Sequence, residues 1–134
     1  MPKYLLYSDG AARGNPGPAG AGAYICDVSG KPVFQLKQYL GETTNTVDEY
    51  EALLLGLKKL VEMKMSDVEV RADSELMVKQ INGQYRVKTP HLKPLYEEAK
   101  RLLNQLTPVT VRHIYREQNK EADRLSNEAI DDLY

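Results

Sequence analysis

The apolar run from Tyr4 to Tyr7, which continues through Ser8 to Asp9-Gly10, constrains the fold more than any other segment. Its residues do not alternate with polar ones, as they would in a strand with one wet face. A short apolar run that stops at a turn signal is typical of a central strand buried on both faces. The segment therefore predicts an inner strand that ends at an aspartate.

The spacing of apolar residues changes after residue 46. Steps of three and four predict an amphipathic helix over about 46–64, and this helix carries Val47, Tyr50, Leu53, Leu54, Leu57, Leu60 and Val61. Val68, Val70 and Ala72 then alternate with polar residues, which predicts a strand over 67–73. A strand-helix-strand crossover of this kind makes the flanking strands parallel and right-handed. We expect Asp9 and Asp73 to lie together at the carboxyl ends of neighbouring strands.

Turn signals and shorter patterns predict the other elements. The density of Gly and Pro makes 11–18 a shaped loop, and the connection 28–30 suits a hairpin. The remaining predicted strands are at about 21–27, 31–40 and 109–115, and the remaining helices are at about 74–81, 91–106 and 120–133.

Four acidic residues, Asp9, Glu49, Asp73 and Asp123, each have an ordinary structural interpretation. Asp9 could belong to an Asp-Gly turn, Asp73 could be a helix N-cap, and Asp123 could be a first-turn acid that the helix dipole favours. Glu49 could close a capping box with Thr46.

Taken together, the same acids point to chemistry. Glu49 lies on or beside the stripe of Leu53 and Leu57, and Asp123 flanks the apolar face of the last helix. Acids turned toward a core are costly unless they are paired or bound to a metal, and no cationic residue lies on those faces. Several carboxylates that converge without His or Cys describe an oxygen-rich site for a hard cation, Mg²⁺ before Zn²⁺.

Composition sets limits on the class of protein. A chain of 134 residues suits one domain, so we take 1–134 as a single domain. The net charge of −1 and the pI of about 6.1 give no general support for nucleic-acid binding. Between Lys79 and Arg101, however, six Lys or Arg residues stand against two acids. That local excess could also be an ordinary solvated surface.

The N-terminus and the single cysteine give weaker indications of the cellular location and of disulfide content. The N-terminus lacks the pattern of a secretory signal, and no apolar stretch approaches the roughly 20 residues that a membrane-spanning helix needs. We therefore expect a cytoplasmic protein with no membrane contact. Cys26 is the only cysteine, so no internal disulfide can form, and its apolar neighbours favour a small core residue.

Four segments of the chain resemble the motifs of type 1 ribonuclease H. They occur in the family's order and span nearly the whole sequence: 8–20 (SDGAARGNPGPAG), 44–53 (TNTVDEYEAL), 72–74 (ADS) and 119–123 (NKEAD). The resemblance implies an α/β ribonuclease H-like fold, with a five-stranded mixed sheet flanked by helices. It also implies that the catalytic, metal-binding quartet is Asp9, Glu49, Asp73 and Asp123.

The resemblance further implies an endoribonuclease that cuts the RNA strand of RNA/DNA hybrids. Two Mg²⁺ ions, for which Mn²⁺ can substitute, would activate the attacking water and stabilise the leaving 3′ oxygen, giving 5′-phosphate and 3′-hydroxyl ends. Gly10, Asn15, Thr44 and Asn45 would grip the sugar-phosphate strands. The partner would be the hybrid itself, and the protein would act as a monomer.

Three departures from the family pattern are visible. Thr46 stands where many members carry a second Asn, and no loop His precedes the last helix, because His113 lies inside a predicted strand. Arg116 or Glu117 could assist product release instead. The segment 85–93 is only a modest substitute for the basic protrusion of some members, which predicts a weaker grip on substrate.

Two other functions stay open on the sequence. The chain could be a catalytically weak nucleic-acid-binding module on the same fold, but the presence of all four acids argues against loss of activity. It could also be another metal nuclease of that fold, such as a resolvase or a 3′ exonuclease. The Gly-Asn-Pro-Gly-Pro loop and the Thr44-Asn45 pair favour cleavage of hybrids over both.

Overall fold

A computed structural model describes residues 2–133, which form five strands and four helices. The strands are β1 (Tyr4–Ala12), β2 (Gly17–Asp27), β3 (Pro32–Thr43), β4 (Val68–Ala72) and β5 (Val109–His113). The helices are α1 (Asn45–Glu62), α2 (Glu75–Ile81), α3 (Lys93–Asn104) and α4 (Lys120–Asp131). Single 3₁₀ turns precede α3 at Pro90–Leu92 and α4 at Arg116–Gln118.

The strands form one mixed sheet in the order β3-β2-β1-β4-β5. The first three strands are antiparallel neighbours, whereas β4 runs parallel to both β1 and β5. The predicted parallel pairing of the Asp9 and Asp73 strands is therefore confirmed, as is the five-stranded mixed sheet. The pairing of β1 with β4 ends at Ser8 and Ala72, one residue before each aspartate.

Helices cover both faces of the sheet. Leu6 on β1 contacts Gly56 of α1, which places α1 on the face of the even-numbered β1 side chains. Gly22, paired with Asp9 on the other face, lies against the backbone of Ala122 and Ser126 in α4. A side chain at Gly22 would collide with that backbone, so the glycine permits α4 to pack directly on β2.

The prediction of a loop over residues 11–18 is mostly wrong. β1 continues to Ala12 and β2 begins at Gly17, so the two strands pair over Ala11–Gly20 and Ala12–Ala19 and leave only 13–16 as the connection. Gly and Pro in this segment signalled a turn, but Gly17, Ala19 and Gly20 are buried in the sheet. The small size of Gly20 permits close packing on Ser126 of α4, whereas Gly17 lies against the Arg13 carbonyl and so permits the tight 13–16 connection.

Other element boundaries shift by a few residues. β2 and β3 are longer than predicted, β5 ends at His113 instead of Tyr115, and α4 ends at Asp131. The predicted helix over 91–106 divides into a 3₁₀ turn and α3, because Pro90 and Pro94 restrict the start of the helix. The hairpin over 28–30 is confirmed, and Asp27 Oδ1 accepts bonds from the backbone N–H groups of Ser29 and Lys31.

The core lies mainly between the sheet and α1 with α3. Leu6, Ile25, Leu53, Leu57 and Val70 are fully buried there. Cys26 is buried with 3% of its surface exposed, as predicted, and burial raises the pKa of its thiol. Among residues 2–133, no helix is both long enough and apolar enough to cross a membrane.

Candidate active site

Three acidic side chains converge where β1 and β4 separate. Asp9 follows the last β1 residue paired with β4, Asp73 follows the end of β4 directly, and Glu49 lies near the start of α1. One carboxylate oxygen from each of these residues lies within 4.8 Å of the others. The convergence of Asp9 and Asp73 follows from the parallel strands, and α1 brings Glu49 to them by packing across β1.

Asp123 belongs to the same pocket but lies outside this tight group. It sits in the first turn of α4 and lines a pocket of about 390 Å³ together with Asp9, Glu49 and Asp73. The charge of Asp123 and a side-chain hydrogen bond to it contribute to the raised pKa of Asp9, so the two carboxyl groups are close neighbours. The structure thus places all four predicted acids around one cavity, three of them within 4.8 Å of one another and Asp123 beside Asp9.

Burial and mutual repulsion disfavour the ionised acids. Burial, followed by the charge of Asp73, raises the pKa of the Asp9 carboxyl to about 8. Burial and the charges of Asp9 and Asp73 hold the pKa of Glu49 well above its usual value. Without a cation, burial and repulsion therefore favour the protonated forms of Asp9 and Glu49.

The oxygen atoms present fit a hard divalent cation. Glu49 Oε1 accepts a hydrogen bond from the backbone N–H of Gly10 at 3.3 Å, whereas Glu49 Oε2 is buried and has no hydrogen-bond partner within residues 2–133. A buried carboxylate oxygen without a donor is costly unless something positive satisfies it. A divalent ion would satisfy Glu49 Oε2 and would relieve the repulsion that raises the pKa of Asp9.

Most of the ordinary interpretations of the acids are wrong. The N-cap of α1 is Thr44, whose hydroxyl accepts from the Val47 N–H, so Glu49 closes no capping box with Thr46. The N-cap of α2 is Ser74, not Asp73. Asp9 lies inside a continuous strand rather than in a turn. Asp123 is a first-turn acid, as that interpretation required, and it also lines the pocket.

Two of the predicted substrate residues, Gly10 and Asn45, line this pocket, and the other two lie next to Asn45. Asn15 Oδ1 accepts from the Asn45 N–H at 3.1 Å, so the loop over 13–16 is tied to the start of α1. That bond uses the amide oxygen of Asn15 and leaves its NH₂ group to donate to a ligand. Asn45 is exposed and lines the pocket, whereas the Thr44 hydroxyl already caps the helix.

Gly10 has a structural role that the sequence did not indicate. A Cβ atom at Gly10 would lie 2.5 Å from the backbone and the carboxylate of Asp48. Gly10 therefore permits α1 to approach β1 closely enough for its N–H to reach Glu49. The neighbouring Asp48 is 1% exposed with neither carboxylate oxygen hydrogen-bonded among residues 2–133, and burial raises its pKa to about 7.

Sequence reasoning missed two asparagines near the pocket. Asn119 is fully buried, and its Nδ2 donates to the Ser8 carbonyl, next to Asp9. Asn127 lines the pocket one turn after Asp123 and donates to its carboxylate. The spacing of four residues on a helix could have indicated the second contact. No periodicity could have indicated the first, because it joins residues that are 111 positions apart.

The other residues singled out in the sequence have mixed outcomes. His113 is partly buried at the end of β5 and packs edge-to-face on Tyr115, with ring centres 5.5 Å apart, so its place inside a strand is confirmed. Arg116 lines the acidic pocket.

The basic segment between Lys79 and Arg101 is partly engaged in contacts within the protein. Arg101 pairs with Glu98, and Lys100 donates to the Ile81 carbonyl.

Comparison with known proteins supports the resemblance to ribonuclease H that the sequence motifs indicate. A family model described as reverse transcriptase-like matches residues 7–129. The ribonuclease HI of Halobacterium salinarum is 37% identical over 126 residues, which are 94% of this chain and 63% of the relative. The bifunctional protein Rv2228c of Mycobacterium tuberculosis is 39% identical over 130 residues, 96% of this chain and 36% of the relative.

A solved structure extends the likeness to three dimensions. The crystal structure of LC11-RNase H1 in complex with an RNA/DNA hybrid superposes with a TM-score of 0.92 at 46% identity, covering 98% of this chain and 99% of that one. The chain spans about a third of the length of its mycobacterial relatives and nearly all of LC11-RNase H1. The chain therefore belongs to the ribonuclease H family, type 1.

Proposed function

We propose that this protein is a metal-dependent endoribonuclease that hydrolyses the RNA strand of RNA/DNA hybrids and leaves 5′-phosphate and 3′-hydroxyl ends. The observation that carries the proposal is the convergence of Asp9, Glu49 and Asp73, whose oxygens lie within 4.8 Å of one another in a chain of this family. A relative with 46% identity binds an RNA/DNA hybrid in its crystal structure, which supports the choice of substrate.

The four acids would hold the ions. Asp9, Glu49 and Asp73 would supply the close oxygen ligands, and Asp123, which lines the same pocket, would supply a fourth carboxylate. When bound, two Mg²⁺ ions, or Mn²⁺ in their place, would activate water for attack and neutralise charge on the reacting phosphate. The Gly10 N–H orients the Glu49 carboxylate by its hydrogen bond to Oε1. Asn119 fixes the carbonyl that precedes Asp9.

Substrate recognition would come from Asn45, which lines the pocket at the start of α1, and from the 13–16 loop, which is tied to Asn45 through Asn15. The NH₂ group of Asn15 and the side chain of Asn45 can reach sugar and phosphate oxygens, including the 2′-hydroxyl that distinguishes RNA from DNA. Gly10 and Thr44, which the family resemblance also assigned to substrate, both contact α1, and their contact with substrate stays a prediction. Arg116 lines the pocket and could contact the product phosphate there.

Cleavage of a labelled hybrid tests the proposal. With Mg²⁺, the RNA strand of a hybrid should be cut, whereas the DNA strand and duplex DNA should stay intact. The RNA fragments should carry 5′-phosphate and 3′-hydroxyl ends, because water rather than the 2′-hydroxyl is the nucleophile. Ends with a 2′,3′-cyclic phosphate, or equal cutting of both strands, would refute the mechanism. Asp73→Asn is the matched inactive control.

Binding should depend strongly on salt. Net charge is −1, and Arg86, Lys88 and Lys93 form the exposed part of the basic segment without an ion pair among residues 2–133. Because phosphate contacts with these cations would carry most of the binding, affinity should be weak and should fall as salt screens them. A monomeric state, a cytoplasmic location and a single domain over 1–134 stay predictions from the sequence.

A further inference from the structure

Asn127 connects the candidate metal site to the substrate loop. It lies on α4, one turn after Asp123, and its Nδ2 donates to the Asp123 backbone carbonyl at 3.0 Å and to Asp123 Oδ1 at 3.2 Å. Its Oδ1 accepts from Arg13 Nη2 at 3.3 Å. Arg13 belongs to the 13–16 connection, which also carries Asn15.

Arg13 is itself anchored at two points. Its Nη1 pairs with Asp131 at 2.6 Å, and its backbone N–H donates to the Pro18 carbonyl at 2.8 Å. The planar guanidinium therefore spans Asp131 and Asn127, the two α4 positions that flank it. A lysine could keep the pair with Asp131 but has no rigid fork to reach both partners.

The Arg13 contact fixes which way the Asn127 amide faces. If the amide were reversed, its NH₂ group would point at the guanidinium and its oxygen at the Asp123 carboxylate, which would oppose donor to donor and acceptor to acceptor. The observed orientation is the one that satisfies both neighbours. Asn127 thus directs its Nδ2 donor toward Asp123 while its Oδ1 accepts from Arg13.

The Asp123 carboxylate is held from two sides. It lies outside the group of carboxylates within 4.8 Å of one another, but it is in hydrogen-bonding contact with Asp9 on one side, and Asn127 Nδ2 donates to its Oδ1 on the other. The direction of the Asp123 side chain is therefore set by its own helix together with Asp9.

We propose that Asn127 is a positioning residue that directs the Asp123 carboxylate toward the metal site, and that Arg13 couples this carboxylate to the substrate loop. The proposal deepens the proposed function and rests on it for its kinetic part. The alternative is that Asn127 only bonds back to its own helix, as polar residues on helices often do. That alternative leaves the Arg13 contact and the position in the pocket wall without consequence.

Kinetics separate the two alternatives. Asn127→Ala should lower kcat by about 10- to 100-fold, as loss of a residue that orients a metal ligand commonly does, with KM for the hybrid changed less than about twofold. Asn127→Asp should be worse, since it removes the donors and adds a negative charge beside Asp123. Both variants should fold, because α4 loses no buried apolar contact. Asn104→Ala, at an exposed position on α3, is the matched control.

Metal binding gives a readout without catalysis. Calorimetric titration with Mn²⁺ should show weaker binding for Asn127→Ala than for the unaltered protein, whereas Asn104→Ala should bind normally. In NMR spectra, the side-chain NH₂ signals of Asn127 should shift in Arg13→Lys, because the amide loses its acceptor-side partner. This measurement requires neither metal nor substrate.

The outcomes distinguish the inference from the proposed function. If the unaltered protein cleaves no hybrid with Mg²⁺ or Mn²⁺, the proposed function fails, while calorimetry and NMR still test the coupling. If the protein is active but Asn127→Ala keeps normal kcat and normal Mn²⁺ affinity, the positioning role is overturned. If the Asn127 NH₂ signals do not change in Arg13→Lys, the coupling to the loop is overturned.

Discussion

Asn119 Nδ2 donates a hydrogen bond of 2.9 Å to the carbonyl of Ser8, joining the N-cap of α4 to the residue before Asp9. Both residues are fully buried. The bond satisfies the Ser8 carbonyl at the point where β4 ends. It therefore fixes β1 relative to the helix that carries Asp123, and so helps to set the distance between two acids of the site.

Asn119→Ala should destabilise the fold by about 1–3 kcal/mol, because it leaves the buried Ser8 carbonyl without a donor. Turnover should fall as well, since Asp9 and Asp123 lose a common anchor. Urea denaturation gives the stability change, and Asn104→Ala serves as the exposed control. A loss of less than about 0.5 kcal/mol would mean that water replaces the amide at little cost.

Removal of a charge from the close acids should abolish activity while the fold survives. Asp9→Asn, Glu49→Gln and Asp73→Asn should each lower kcat by several orders of magnitude, on the order of 10³ or more, because an ion is then lost or misplaced. Thermal stability without metal should hold or rise, since repulsion among the acids is relieved. Single-turnover cleavage measures the first effect. Substantial activity of Asp73→Asn in saturating Mg²⁺ would contradict the ligand assignment.

The fold was largely predictable because its main signals are local. The unbroken run at 4–7 and the crossover through 46–73 placed Asp9 and Asp73 on parallel neighbours, as observed. The pairing of residues 11–20 was not predictable, since Gly20 is small in order to pack on Ser126 and Ile130 of α4 and not to turn. That requirement comes from tertiary contacts, which no local pattern records.

The acids of the site could be predicted from the sequence, but the hydrogen bonds that orient them could not. The helical spacing predicted that Glu49 faces the core, and the motif resemblance predicted that the four acids form one site. The bonds that orient the acids, from Gly10 to Glu49 and from Asn119 to Ser8, join positions that are 39 and 111 residues apart. Contacts at such separations depend on the whole fold, so these hydrogen bonds can be identified only in the folded structure.

Catalysis should require Mg²⁺ or Mn²⁺ and should be weak with Ca²⁺. Ca²⁺ binds oxygen ligands at longer distances and with looser geometry, so it should occupy the acidic pocket without holding the reacting groups correctly. Addition of EDTA should stop cleavage, and excess Mg²⁺ should restore it. Competition of Ca²⁺ against Mg²⁺ provides the control for binding. Full activity in chelator would falsify the metal mechanism.

His113→Ala should affect stability more than chemistry. His113 is partly buried at the end of β5 and packs on Tyr115, so the variant should lose about 0.5–1.5 kcal/mol of stability. Single-turnover cleavage should change little. Arg116→Ala is the comparison variant, because Arg116 lines the acidic pocket and should slow turnover without destabilising the fold. A hundredfold loss of chemistry in folded His113→Ala would show that the histidine acts in the reaction.

The buried Asp48 should make stability fall as the pH rises. Its pKa is raised to about 7 in the folded protein by burial, against 3.8 for an unperturbed aspartate. Below pH of about 4 both states hold the proton, and the group has no effect on stability. Between about pH 4 and pH 7 the unfolded state releases its proton first, so unfolding becomes easier, and above pH 7 the penalty is complete.

Asp48→Ala should therefore be stabilising at pH 8, on the order of 4 kcal/mol, and nearly neutral at pH 4, because the pKa of Asp48 rises from 3.8 to about 7 on folding and each pKa unit corresponds to about 1.4 kcal/mol. Asp9, whose pKa is raised to about 8, contributes a similar slope. Mg²⁺ should cancel the Asp9 contribution by binding its carboxylate and should leave that of Asp48 in place. Urea denaturation of both proteins at pH 4 and pH 8, with and without Mg²⁺, separates the two. Equal gains for Asp48→Ala at both pH values would mean that Asp48 stays neutral throughout or is hydrated, and that its burial carries no linked proton.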